Sequence, residues 1–210
     1  MIKWVVFDAM GVVFTVGDDT NDLLVPFVQE RNRDISRDVI NSAYHRASLG
    51  NISSCQFWDE IGLGDQYPAV ESEYLDSMLT LDDAFIPVAK ALSARYRLGL
   101  LSNDVSEWSK WLRLKFALDF FDCVIISGDV RVRKPDTAIY ELFLQKSQAS
   151  ADTCVFIDDR HKNLSAAQTV GMKTIHFARE DGAGTSAADA RIERFAELET
   201  AINNIHVGKK

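Results

Sequence analysis

Five short apolar runs, at residues 4–7, 98–101, 123–126, 154–157 and 174–177, constrain this chain of 210 residues more than any other feature. Each is bounded by polar residues or glycine. Their length and β-branched content suit strands buried on both faces of a parallel sheet. Stretches of helical period at 85–96, 106–116, 137–146 and 163–170 fall between them or before them. Strand alternating with helix predicts an α/β architecture, a Rossmann-like doubly wound parallel sheet with helices on both faces and right-handed crossovers.

One interval breaks the alternation. Residues 16–81 show no strand pattern, only apolar residues at helical spacing, with Gly50 and the stretch 62–68 as breaks. That pattern predicts a small inserted α-helical cap at 16–81, with 1–15 and 82–210 forming the α/β core. The insert follows the first strand directly, and ligands of such sheets gather at the carboxyl ends of strands. Further on, 181–186 reads as a loop, 187–203 as a helix packed on the sheet edge, and 208–210 as a fraying end.

Composition narrows the partners. Lys and Arg number 23 against 31 Asp and Glu, a net charge of −8, so a nucleic-acid partner is not expected, because phosphate backbones need clustered cations. The short run Arg131, Arg133, Lys134 suits a small anion instead. Cys55, Cys123 and Cys154 are widely spaced, with no paired ligand spacing, which fits core thiols in a reducing cytoplasm. The opening apolar run is too short to span a membrane and lacks the marks of a signal peptide. A cytoplasmic protein without a membrane partner, monomer or homodimer, is the expectation.

Four of the five strand ends are polar or acidic: Asp8; Ser102, Asn103 and Asp104; Ser127 to Asp129; and Asp158 with Asp159. Any one of these aspartates alone reads most simply as a turn or helix cap. In a parallel sheet all of them share one rim, and converging carboxylates repel unless a cation compensates. With oxygen ligands only, Mg²⁺ is the first expectation. Lys134 follows the third strand, with Pro135 placed to open the next helix. It could neutralise the carboxylates and pin a phosphoryl oxygen as a point charge.

Four ordered segments, Val5-Val6-Phe7-Asp8, Leu100-Leu101-Ser102-Asn103, Arg133-Lys134-Pro135-Asp136 and Val155-Phe156-Ile157-Asp158-Asp159, resemble the motifs of the haloacid-dehalogenase-like superfamily. The likeness continues through Asn163, Ala166, Ala167 and Gly171-Met172. It implies a phosphatase for a small phosphate ester such as a sugar phosphate. In it Asp8 is the nucleophile that forms an aspartyl phosphate, Ser102 and Asn103 bind substrate, and Lys134 stabilises the phosphoryl group. Mg²⁺ is held by Asp8, the carbonyl of Met10, Asp158 and Asp159. The insert resembles the small cap of the branch related to epoxide-hydrolase N-terminal domains. Tyr44, His45, Arg46, Phe57 and Trp58 lie in that cap, where aromatic residues at helical spacing read first as core.

The departure is Met10, which stands where most phosphatases of this superfamily carry a second aspartate as general acid and base. A thioether transfers no proton. Since general acid catalysis contributes roughly 10² to 10⁴ in rate, its loss predicts a slow or specialised phosphatase. Two alternatives remain open from sequence: a catalytically weak binding or regulatory protein, and a dehalogenase-type hydrolase, against which the acids Asp158 and Asp159 speak. His161 reads as a surface residue at a helix start, near enough to the rim to reach a leaving group. His176 lies within a strand, and His45 in the cap is uninformative.

Overall fold

A computed structural model describes residues 1–179 and 187–207; the expected loop at 181–186 and the end at 208–210 lie outside the described residues. Strands β1 (Trp4–Phe7), β2 (Arg97–Ser102), β3 (Cys123–Ile126), β4 (Cys154–Asp158), β5 (Lys173–Phe177) and β6 (Ala190–Ile192) form one sheet in the order β3-β2-β1-β4-β5-β6. Every pairing is parallel. The chain therefore winds from β1 outward to β2 and β3, returns to β4 on the other side of β1, and winds outward again. β1 is fully walled in by its neighbours. All four of its residues are buried, which explains why it reads as a continuous apolar run.

Between β1 and β2 lie helices α1 (Val25–Arg31), α2 (Arg37–Ala47), α3 (Ser54–Glu60), α4 (Ala69–Ser77) and α5 (Phe85–Ser93). Local chemistry sets several of their starts. Ser36 caps α2 by accepting the amide of Val39, and Ser53 with Gln56 makes a reciprocal capping box on α3. Phe57 and Trp58 are completely buried. They pack with Phe27, Tyr74 and Trp108 in an aromatic cluster. Trp108 belongs to α6 (Ser106–Lys115), so this cluster joins the inserted helices to the core. The indoles of Trp58 and Trp108 both donate to one oxygen of Glu71, at 2.8 and 2.7 Å.

Beyond β3 follow a short α7 (Ser127–Val130), α8 (Thr137–Ser147) and α9 (His161–Thr169), and α10 (Leu198–Val207) closes the chain. Two expectations need correction. Pro135 does not open α8. The helix starts at Thr137, where the helical period begins, because the Asp136 carboxylate accepts the Ala138 amide and so fixes the N-cap after the proline. The stretch expected as one helix over 187–203 instead contains β6, a short 3-10 turn (Phe195–Glu197) and only then α10. These residues complete the open edge of β5: Ile192 pairs with Phe177, its carbonyl accepts the Ala178 amide at 2.8 Å, and Phe195 then packs on the Phe177 ring. Among the described residues no helix is long and apolar enough to cross a membrane.

Candidate active site

Parallel register brings the functional ends together. Phe7 pairs with Leu100 on one side and Ile157 on the other, and the Asp8 amide donates to the Ile157 carbonyl at 2.9 Å. Asp8, Ser102 and Asp158 therefore stand on adjacent strand ends at the place where the winding reverses, the usual ligand position in such sheets. Lys134 arrives from the loop after α7, and its ammonium lies 2.6 Å from Asp8 and 2.9 Å from Asp158. All three are almost entirely buried.

Each group is itself held. Asp158 accepts from the Arg160 amide at 2.8 Å and from the Asn163 side chain at 3.0 and 3.1 Å. The Asn163 carbonyl in turn accepts the Tyr140 hydroxyl. Asn103, expected to bind substrate, uses its side-chain amide on the backbone of Lys134: it donates to the carbonyl at 2.9 Å and accepts the amide at 2.8 Å. It thus fixes the lysine while one edge still lines the site cavity. The Ser102 hydroxyl is buried with no hydrogen-bond partner among the described residues. An orphaned buried hydroxyl costs roughly 1–3 kcal/mol, so this one is placed for something that arrives later.

The donor set fits a divalent cation. Asp8, Asp158 and Asp159 offer oxygens that all lie within 4.8 Å of one another, and a buried oxygen of Asp159 has no partner among the described residues. Three carboxylates and one ammonium leave two negative charges, which a doubly charged hard cation cancels. The protonation tendencies agree. Burial raises Asp8 well above the usual carboxylate range, and the charges of Asp158 and Asp159 add to this while Lys134 opposes it. Burial and then Asp158 push Asp159 up to about 7. Burial disfavours the charge on Lys134, but Asp158 and Asp8 outweigh it and keep it protonated. Two glycines make room for Asp159: a Cβ on Gly11 would come within 2.4 Å of its carboxylate and one on Gly17 within 2.6 Å, and Gly11 has φ +79°.

Asp8 and Met10 line a small cavity of about 40 Å³ together with Lys134, Arg133, Asp19 and Tyr44. Tyr44 therefore faces the site, whereas Phe57 and Trp58 serve the core and Arg46 pairs with Glu60 on the surface. His161 does not reach this cavity. It packs against His176 with the rings tilted, 4.3 Å between ring centres, beside a space of about 660 Å³ lined also by Asp159 and Arg179. Asp104 is buried against its own loop, accepting the Val105 amide, and does not line the cavity. The residue that sequence reasoning missed is Asp19. It is buried, and burial raises it to about 6. Its neighbours in sequence, Asp18 and Thr20, are polar as well, so nothing in the sequence sets it apart. Only the fold of the insert shows that it points to the site.

A profile of haloacid dehalogenase-like hydrolases matches residues 2–171. A glyceraldehyde 3-phosphate phosphatase of Pyrococcus abyssi is 39% identical over 85 residues, which covers 39% of this chain and only 35% of that enzyme. A sesquiterpene phosphatase of Aspergillus oryzae is 25% identical over 181 residues, 83% of this chain and 89% of that protein. Among solved structures, a phosphatase of the same family from Thermococcus onnurineus superposes with a TM-score of 0.75 at 24% identity, over 96% of this chain and 98% of that one, a likeness of fold.

Proposed function

Since the chain belongs to the haloacid dehalogenase-like hydrolase family, we propose that it is a Mg²⁺-dependent phosphatase acting on a small phosphorylated metabolite through an aspartyl phosphate on Asp8. The observation that carries this reading is the Asp8–Lys134–Asp158 bridge, with a third carboxylate beside it and an unsatisfied serine hydroxyl on the same rim. Asp8, Asp158, Asp159 and the Met10 carbonyl would hold the cation. When bound, it supplies positive charge that keeps Asp8 ionised and draws in the phosphate dianion.

The remaining work falls to side chains. Asp8 attacks phosphorus with one carboxylate oxygen as the bond to the ester oxygen breaks, and the electron pair leaves with that oxygen, which takes its proton from solvent. Lys134 and Ser102 meet the charge on the non-bridging oxygens. Water then attacks the phosphorus of the aspartyl phosphate, releasing phosphate and regenerating Asp8. Residues of the insert, Tyr44 and Asp19 among them, close the site and exclude bulk water, the part played by a cap. Met10 supplies no proton to the leaving oxygen, and it is the one feature that favours the second reading, a weakly catalytic binding protein.

A panel of sugar phosphates, nucleotides and an aryl phosphate, assayed for phosphate release with and without Mg²⁺, separates the two. Mg²⁺-dependent release that disappears in Asp8→Asn supports the phosphatase. Binding of phosphate esters without release supports the binding protein.

A further inference from the structure

The cavity around Asp8 has room for only a few water molecules, so it can take a phosphoryl group but not the molecule that bears it. The rest of a substrate must extend into an adjoining space. Two such spaces adjoin it among the described residues, and charge distinguishes them. The 660 Å³ space shares only Gly17 and Arg160 with the Asp8 cavity, and it carries the carboxylates Asp18, Asp22 and Asp159. A second space of about 270 Å³ shares five residues with the Asp8 cavity, among them Lys134, Asn103, Arg133 and Arg160. It also carries Lys162 and His45, and no carboxylate lines it.

Apart from Lys134, which bridges Asp8 and Asp158, these cations keep donors for a ligand. Arg133 gives one N–H to the Ser48 hydroxyl at 2.9 Å, and Arg160 gives one to the Gly17 carbonyl at 2.7 Å, so each guanidinium has further N–H donors to offer. The nearest carboxylate to Arg160, Asp18, stands 3.9 Å away. Lys162 is exposed and makes no ion pair among the described residues. Lys134 is committed to Asp8 and Asp158 and Arg160 lies near Asp18, but Arg133 and Lys162 face this space with no carboxylate in its lining, and an anion there relieves their repulsion. In a chain with a net charge of −8, such a local excess runs against the overall charge.

We propose that the 270 Å³ cavity is a second anion site, and that the substrate of the Asp8 site is a phosphate ester carrying a second anionic group, a phosphate or a carboxylate. The proposal rests on the phosphatase reading for its catalytic part alone. The scissile phosphoryl group sits by Asp8 and Lys134. The second anion lies among Arg133, Arg160 and Lys162, with a ring N–H of His45 at the cap side. Arg133 belongs to both cavities and spans the two anions.

The test compares matched esters in the presence of Mg²⁺: fructose 6-phosphate with fructose 1,6-bisphosphate, and glycerol phosphate with phosphoglycerate. The doubly anionic member of at least one pair is expected to show the higher kcat/KM, and which pair does so separates phosphate from carboxylate. Lys162→Glu, a change on an exposed side chain, should lower that ratio by about 10-fold, as loss of a charge-assisted contact implies, and added salt should lower it in the unaltered protein. Equal or reversed preference in both pairs, or a ratio untouched by Lys162→Glu, overturns the proposal. If no ester is hydrolysed, the phosphatase reading fails instead, and calorimetry decides the anion site: pyrophosphate binding more tightly than phosphate, with the difference lost in Lys162→Glu, upholds it, and equal binding overturns it.

Discussion

Ser102 and Met10 show what single residues reveal at this site. The Ser102 hydroxyl is buried without a partner, a cost borne by the resting protein, so Ser102→Ala should leave the melting temperature unchanged or raise it while kcat/KM for a phosphate ester falls about 10-fold or more. A parallel loss of stability and activity would instead mark the serine as structural. Lys134→Ala should be worse on both counts. It leaves buried carboxylates without their ammonium, and activity should fall by about 10² or more, with circular dichroism and thermal melts checking that the fold survives. At Met10 the absent acid must show itself in the leaving group. Without a proton donor the first step depends on the basicity of the departing oxygen, so aryl phosphates should be cleaved much faster than alkyl phosphates. Met10→Asp should flatten that preference and raise alkyl turnover by roughly 10-fold. If the parent shows no aryl preference, another group already serves as the acid. Asp19 is then the residue to change, because it lines the Asp8 cavity whereas His161 and Asp104 do not. The residues legible in sequence, Asp8, Lys134, Asp158 and Asp159, were those fixed at strand ends or in the loop after the third strand. Asp19 and Tyr44 were not, since an insert folded on itself gives no period that says which face meets the site.

At the scale of elements, the strands were readable because burial on both faces demands uninterrupted apolar residues, and all of the first five begin and end within one residue of the expected limits. β6 was not readable. It has three residues, of which only Ile192 is buried, and an edge strand of that length has no pattern to distinguish it from a helix start. The elements also meet where sequence gives no hint. The turn between α2 and α3 rests on α7: Gly50, at φ +65°, lies so close that a Cβ would come within 2.2 Å of the Gly128 carbonyl, and the Ser127 hydroxyl donates to the Ser48 carbonyl. Arg133 reaches the Ser48 side chain from the same loop that carries Lys134. This contact sets where the inserted helices sit over the catalytic rim. Gly50→Ala should therefore cost about 1–3 kcal/mol in chemical denaturation, through strain at a positive φ and a clash with backbone. It should also lower kcat/KM although it touches no substrate. Unchanged activity in a destabilised variant would show that the insert keeps its place by its aromatic cluster alone.

At the scale of the whole molecule, the sheet order decides both where the charges meet and how the protein should answer to pH and metal. Winding outward from β1 in both directions places Asp8 and Asp158 side by side, with Asp159 next in the chain, and no rearrangement of the fold separates them. Without a cation, burial and mutual repulsion raise Asp8 well above its usual range and Asp159 to about 7, above the values both have in an unfolded chain. The folded state then binds more protons than the unfolded one across the interval from about 4 to about 7, so stability falls as pH rises through it. A metal-free sample should accordingly melt at a lower temperature at pH 8 than at pH 5. A Mg²⁺ held as proposed would require the carboxylates ionised, so it would bind more tightly at the higher pH and stabilise by RT ln(1 + [Mg²⁺]/Kd). Adding Mg²⁺ should thus raise the melting temperature more at pH 8 than at pH 5, and Asp159→Asn should both raise the metal-free melting temperature at pH 8 and abolish most of the Mg²⁺ response. Thermal melts of the two proteins at the two pH values, with EDTA or with excess Mg²⁺, measure all of this. A Mg²⁺ response that persists in Asp159→Asn would move the cation away from this cluster. A metal-free stability independent of pH would mean that the three carboxylates are neutralised by something other than a bound ion.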